Sequence, residues 1–227
     1  MTGMDISPLL ITCKVAVLAT VISTLLAVPL AYLITGMKKG IKLADAFLSL
    51  PLVLPPTVVG FFLLIFFGGN SPVGRLLRSI NLDVVFTAAG AVIASVVISF
   101  PIIYRTARAA FDAIDEDLVD TARLLGFYGV KIFAKVYVPL AFRELATGVI
   151  LAFARTMGEF GATIMIAGNI PGRTRTMSVA VYTAMQSGDR SLAYTWTVVI
   201  LCMSFVMLFL LDALAGRRYA GSEKRRS

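Results

Sequence analysis

The chain has 227 residues, 58 % of them hydrophobic and 15 % charged, with a mean hydropathy of +0.87. Soluble domains run at about 45–50 % apolar and about 25 % charged, so a soluble fold is excluded. At roughly 20 apolar residues per crossing of a ~30 Å hydrocarbon layer, the length holds several spanning helices and little else. The 21 Lys and Arg against 13 Asp and Glu, net +8, would suggest nucleic acid on a soluble protein; in a membrane chain their positions matter more than their sum.

Five apolar stretches follow one another: Val15 to Ile34, Leu48 to Phe67, Val84 to Tyr104, Leu145 to Ala167 and Ala193 to Ala215. Each is long enough to span, which predicts an all-α polytopic membrane protein of about five transmembrane helices. The first exceeds the roughly 7–15-residue apolar region of a cleaved signal peptide and has no basic segment before it, so it is read as a span. Pro51, Pro55, Pro56 and Gly60 interrupt the second. A break at that depth is tolerated only where protein or a water-lined cavity satisfies the freed backbone groups, which leaves a packing kink and a pathway-lining bend as the two readings.

Lys38, Lys39 and Lys42 lie between the first and second stretches. Arg105, Arg108, Arg123, Lys131, Lys135 and Arg143 lie between the third and fourth, and Arg217, Arg218, Lys224, Arg225 and Arg226 follow the fifth. These fourteen fall on one side, against Arg75, Arg78, Arg173, Arg175 and Arg190 on the other. Cytoplasmic flanks are enriched in Lys and Arg, so the N-terminus is expected outside and the C-terminus inside. Arg173 and Arg175, beside Thr174 and Thr176, then sit on the outer face, either as solvated loop charges or as an attraction for a dianion or an acidic delivery protein. There is no histidine, which removes the commonest general base and transition-metal ligand. Cys13 and Cys202 lie in apolar segments, so no disulfide, metal or cofactor site is assigned.

The segment between the third and fourth stretches is patterned. In Ile114 to Gly126, acidic residues crowd the start, where a helix dipole favours them. Leu118, Ala122 and Leu125 recur on one face, and Gly126 is a natural stop. A second amphipathic helix follows, with Ile132, Phe133, Val136 and Tyr137 on one side and Lys131 and Lys135 on the other, before Pro139. By pattern alone, the first helix suits a lipid interface or a groove on a partner.

In the fourth stretch, Arg155 stands ten residues in, near the bilayer centre, where a charge costs on the order of 2.5–3.5 kcal/mol. Glu159 at i+4 can meet it, in the less favourable order for such a pair. The pair either glues helices or subunits together or lines a pathway, and Gly158 and Gly161 permit close approach or a local break.

Asp120-Thr-Ala122, three residues, Gly126, nine residues and Val136-x-Val138-Pro139 resemble the EAA motif of ABC importer permease subunits, Glu-Ala-Ala-x3-Gly-x9-Ile-x-Leu-Pro. Asp120, Val136 and Val138 depart conservatively and Thr121 less so. The resemblance implies that Leu118 to Phe127 couples to a cytoplasmic ATPase, with Leu118, Asp120, Ala122, Leu125, Gly126 and Phe127, and Pro139 further along the same loop, as the marked positions. Arg155-Thr-Met-Gly-Glu-Phe-Gly-Ala162, continuing to Gly168-Asn-Ile-Pro-Gly172, resembles the molybdate branch of these permeases, with sulfate permeases as near relatives. So does the run from Pro51 to Gly60, which contains Pro55, Pro56 and Thr57.

The resemblance implies a type I importer (MetI-like) transmembrane domain over 9–214, a coupling loop at about 106–139 and a basic tail over 215–227. It implies a homodimer, two ATPase copies carrying ATP-Mg, and an external molybdate-binding protein in a bacterial inner membrane. The sequence has no G-x4-G-K-[ST] run to cradle nucleotide phosphates, so no enzyme is expected in this subunit and ATP hydrolysis falls to another chain. A secondary transporter needs an ion relay, and beyond Arg155 and Glu159 the stretches offer chiefly Lys14. A membrane hydrolase needs Ser-His or Asp-Asp constellations at depth, and neither is seen: there is no histidine and no Asp lies in the middle of a stretch.

Overall fold

The computed structural model describes residues 5–37 and 40–215, and the regular elements among them are all helical. In chain order they are α1 (Ser7–Thr35), α2 (Ile41–Val53), α3 (Pro56–Phe67), α4 (Pro72–Ser79), α5 (Ala88–Asp112), α6 (Glu116–Leu124), α7 (Val130–Ile132), a π-helical turn (Phe133–Tyr137), α8 (Val138–Leu140), α9 (Phe142–Met157), α10 (Gly161–Ala167), α11 (Met177–Gln186) and α12 (Arg190–Ala215).

Helices α1 and α5 form the central pair and run parallel. Ala16, Ala19, Ala27 and Ala31 on α1 and Ala91, Ala94 and Ala107 on α5 are fully buried, the small-residue seam that lets helix backbones approach in a membrane. Ser23 Oγ lies 2.8 Å from Ser99 Oγ, so the two buried hydroxyls satisfy each other. At the end of the bundle that carries α6, Arg108 Nη1 meets Asp112 Oδ1 at 2.6 Å and donates to Thr35 Oγ1. Its Nε lies 3.6 Å from Asp45 of α2, and Tyr104 donates to the same Asp45 oxygen, so one cluster ties α1, α2 and α5.

Three helices are long and apolar enough to cross a bilayer alone, α1, α5 and the Arg190–Leu211 part of α12, and two bent pairs raise the number to five. The expected second span is not one helix. Leu54 and Pro55 are extended, Pro56 opens α3, and α2 and α3 meet at 106°. Pro55 and Pro56 lack the N–H groups a continuous helix needs, whereas Pro51 is carried inside α2. The fourth also divides, α9 ending at Met157 and α10 beginning at Gly161, while the segment before α9 lies at 78° to it. The third is displaced: Val84 to Thr87 lie outside the helix, which instead runs through Arg105 to Asp112. Phe86, at φ 59°, is held there by its N–H bond to Ile166 O at 2.8 Å.

Helices α4 and α11 have no counterpart among the predicted elements. α11 packs on α1 and α12 around Met157, Met177 and Trp196. Few residues of the spanning part of α12 are buried, so beyond its contacts with α9 and α11 one side of it is open in the single chain.

Candidate functional site

Two regions hold the predicted site residues, one at each end of α9. The first is the loop built on α6. Asp115 caps the helix by accepting the Asp117 N–H at 3.0 Å, and Glu116 and Asp117 fill its first turn. It ends in a Schellman motif: Gly126 takes φ 79°, its N–H reaches Arg123 O at 2.9 Å, and Phe127 N–H reaches Ala122 O at 3.0 Å. Asp120 is spent on Arg123 at 2.7 Å on the exposed side.

The expected face of Leu118, Ala122 and Leu125 is not a single surface. Ala122, 7 % exposed, turns inward with Val119 and Ile132, while Leu118, Leu124 (89 % exposed) and Leu125 (71 %) form the open ridge. Val119 and Ile132 cover only the Ala122 side of that face, which leaves Leu118 and Leu125 open. Phe127 is half-buried beneath, with Lys131 Nζ 4.4 Å from its ring centre. Tyr32, Phe111, Phe133 and Tyr137 stack below, with centroids 5.0–6.4 Å apart, so the loop is seated on the ends of α1 and α5. Burial there pushes the Tyr137 phenol above its ordinary value. Pro139 opens the short turn that leads into α9. Tyr32 reads in the sequence as one more apolar residue of a span and Phe111 as an unpatterned apolar residue just beyond one, so neither carries a signal there.

The second region is a pair of broken helices. Glu159, 2 % exposed, accepts the Ala162 N–H through Oε1 at 2.8 Å and so caps α10. Its Oε2 lies 2.8 Å from Arg155 Nη1 but is not aligned as a hydrogen bond, so the contact is held by charge. Gly161 packs on the other break: a Cβ there would lie 3.1 Å from Pro56 Cβ and Thr57 Cγ2. On Gly60 a Cβ would lie 2.7 Å from Ala162 Cα. Gly158, Pro55 and Thr57 are exposed. Arg155, Glu159, Gly161, Pro56 and Thr57 therefore gather at one place, while the α6 loop stands a full α9 away, about 24 Å for its 16 residues.

The Gly168–Thr176 loop is ordered. Thr174 is buried and its Oγ1 accepts Ile170 N–H at 3.0 Å, while Arg175 Nε donates to Asn169 at 2.7 Å; Arg173 is exposed. Lys38, Lys39 and the basic tail residues lie outside the described residues. Among the described residues no cluster of His, Cys, Asp and Glu is suited to a metal.

An all-helical membrane subunit with two helix breaks packed on each other and an amphipathic loop seated on one end defines a permease core. Residues 23–218 match the model of the binding-protein-dependent transport system inner membrane component family, and the chain belongs to that family: it is a multi-pass membrane subunit of ABC importers, not itself a catalyst, that works with an ATPase and a solute-binding protein. It is 42 % identical to YvgM of Bacillus subtilis (strain 168), a permease protein named for molybdenum transport, over 91 % of this chain and 92 % of that one. It is 37 % identical to the molybdenum transport system permease protein ModB of Escherichia coli (strain K12), over 95 % of both. A permease of Prototheca wickerhamii named for sulfate transport, cysT, is 32 % identical over 88 % of this chain and 79 % of its own length. The fold resembles the inward-facing MetNI methionine ABC transporter, with TM-score 0.73 at 16 % identity over 94 % of this chain and 97 % of that one. It also resembles a bacterial alginate ABC transporter, with TM-score 0.76 at 15 % identity over 96 % and 80 %.

Proposed function

We propose that this chain is the permease subunit of an importer of molybdate, with tungstate as a second cargo. It acts as a homodimer with two ATPase copies inside and a molybdate-binding protein outside, its N-terminus outside and its C-terminus in the cytoplasm, and its transmembrane domain occupies 9–214. The observation that carries the cargo is the end-to-end match, at 37 % and 42 % identity, to permeases named for molybdenum transport, against 32 % for one named for sulfate.

The geometry supports a coupling role for 118–127. The ridge of Leu118, Leu124 and Leu125 is apolar and open, and the rigid end of α6 passes a displacement through Phe127, Ile132 and Tyr137 to Tyr32. When ATP closes the ATPases, the two loops are drawn together and the α1 and α5 ends move with them; hydrolysis resets the inward state. The test is uptake by liposomes that hold this subunit, its ATPase and its binding protein. Molybdate is expected to accumulate only with ATP on the ATPase side, with sulfate a poor competitor. Faster accumulation of sulfate at equal concentration refutes the cargo assignment.

A further inference from the structure

We propose that Arg155 is the residue a passing oxyanion contacts inside the membrane, with Glu159 as the positioning residue that pins and neutralises it. The inference rests on the reading of the chain as an oxyanion permease and gives that pathway its contact point.

The Arg155 side chain is 38 % exposed although its partner Glu159 is 2 % exposed. A charged side chain within a span faces the bundle interior or water and not lipid. The same rule holds for unwound backbone, and Gly158, where α9 ends, is exposed beside it. The half-open arginine side chain and the open helix break lie on one face of α9 that the single chain leaves uncovered, and this is the face proposed to turn to water. Thr57 of the facing break, also exposed, packs beside Gly161, three residues on from Gly158.

The chemistry fits a dianion in transit. Arg presents five N–H donors in a fixed fork, a pattern suited to oxyanions, more than the contact between Nη1 and one Glu159 oxygen uses. Glu159 cannot swing away, because its other oxygen holds the Ala162 N–H. The pair carries no net charge, so the anion meets donors without a deep electrostatic well, and a conducting site must bind weakly enough to release.

Two measurements on the liposome-reconstituted complex test this. The Arg155→Gln/Glu159→Gln double variant replaces the ion pair by a neutral pair of similar shape, with assembly checked by co-purification with the ATPase. Molybdate uptake per ATP hydrolysed is expected to fall at least tenfold. Wild-type uptake by the assembled double variant reduces the pair to packing and overturns the proposal. Gly158→Cys, in a chain with Cys13 and Cys202 replaced by Ser, adds a side chain whose Cβ meets only Arg155 O at 3.9 Å. It is expected to react with a charged, membrane-impermeant thiol reagent, and failure to react in every nucleotide state also overturns the proposal. Absence of molybdate uptake by the wild-type complex instead strikes the cargo assignment, while the Gly158→Cys reaction separately decides whether this face meets water.

Discussion

Replacing Gly60 by Ala probes the contact that joins the two broken helices. The new Cβ would lie 2.7 Å from Ala162 Cα, 2.8 Å from Ala162 O and 2.8 Å from Met165 Cβ. Apolar carbons rest at about 3.5–4.0 Å, so α3 and α10 must separate by roughly 1 Å, and two of the three obstacles are backbone that no rotamer change can clear. Overpacking of this kind costs about 1–3 kcal/mol, or roughly 5- to 150-fold in the folding equilibrium. At about 2–4 °C per kcal/mol for a chain of this size, the detergent-solubilised complex should melt some 2–12 °C lower. Gly158→Ala is the internal control, since its Cβ finds only Arg155 O at 3.9 Å. It is expected to stay within about 0.5 kcal/mol of the parent. Equal melting of Gly60→Ala and the parent, or an equal drop for Gly158→Ala, would refute the claim that α3 and α10 are locked at this glycine.

For orientation, the fourteen-to-five bias of basic residues predicts that a C-terminal fluorescent protein matures in the cytoplasm and a C-terminal periplasmic phosphatase stays inactive; an active phosphatase reverses the topology. On the loop, Leu125→Glu places a charge on the open ridge and is expected to weaken co-purification with the ATPase and uptake together, leaving the thermal stability of the permease near the parent's. Ala122→Glu buries an unpaired carboxylate, at several kcal/mol, and is expected to loosen the loop itself, read as faster proteolysis between 113 and 130 even without the ATPase. Full ATPase retention by Leu125→Glu removes the ridge from the docking surface.

Composition and hydropathy alone established an all-helical membrane protein, because no soluble core can absorb this much apolar side chain, and the stretch lengths fixed the approximate number of crossings. The α6 start and stop were equally legible, since Asp115, the acidic first turn and Gly126 are local signals set by backbone hydrogen bonding within a few residues. The Arg155–Glu159 pair followed from i,i+4 spacing in the same way. What the sequence left open was decided by contacts between distant segments. Pro51, Pro55 and Pro56 look alike as helix breakers, yet only the last two break the helix, where α3 turns to pack Gly60 and Thr57 against α10. Val84 to Phe86 are apolar enough for a span but are drawn off the helix by the bond to Ile166. Ala122 and Leu125 share a face in an ideal helix, but Val119 and Ile132 pack only on the Ala122 side of it, so the two residues meet opposite environments. Local chemistry thus fixed where helices begin and end; which face each one buries, and which break meets which, depended on the packing of residues a hundred positions apart.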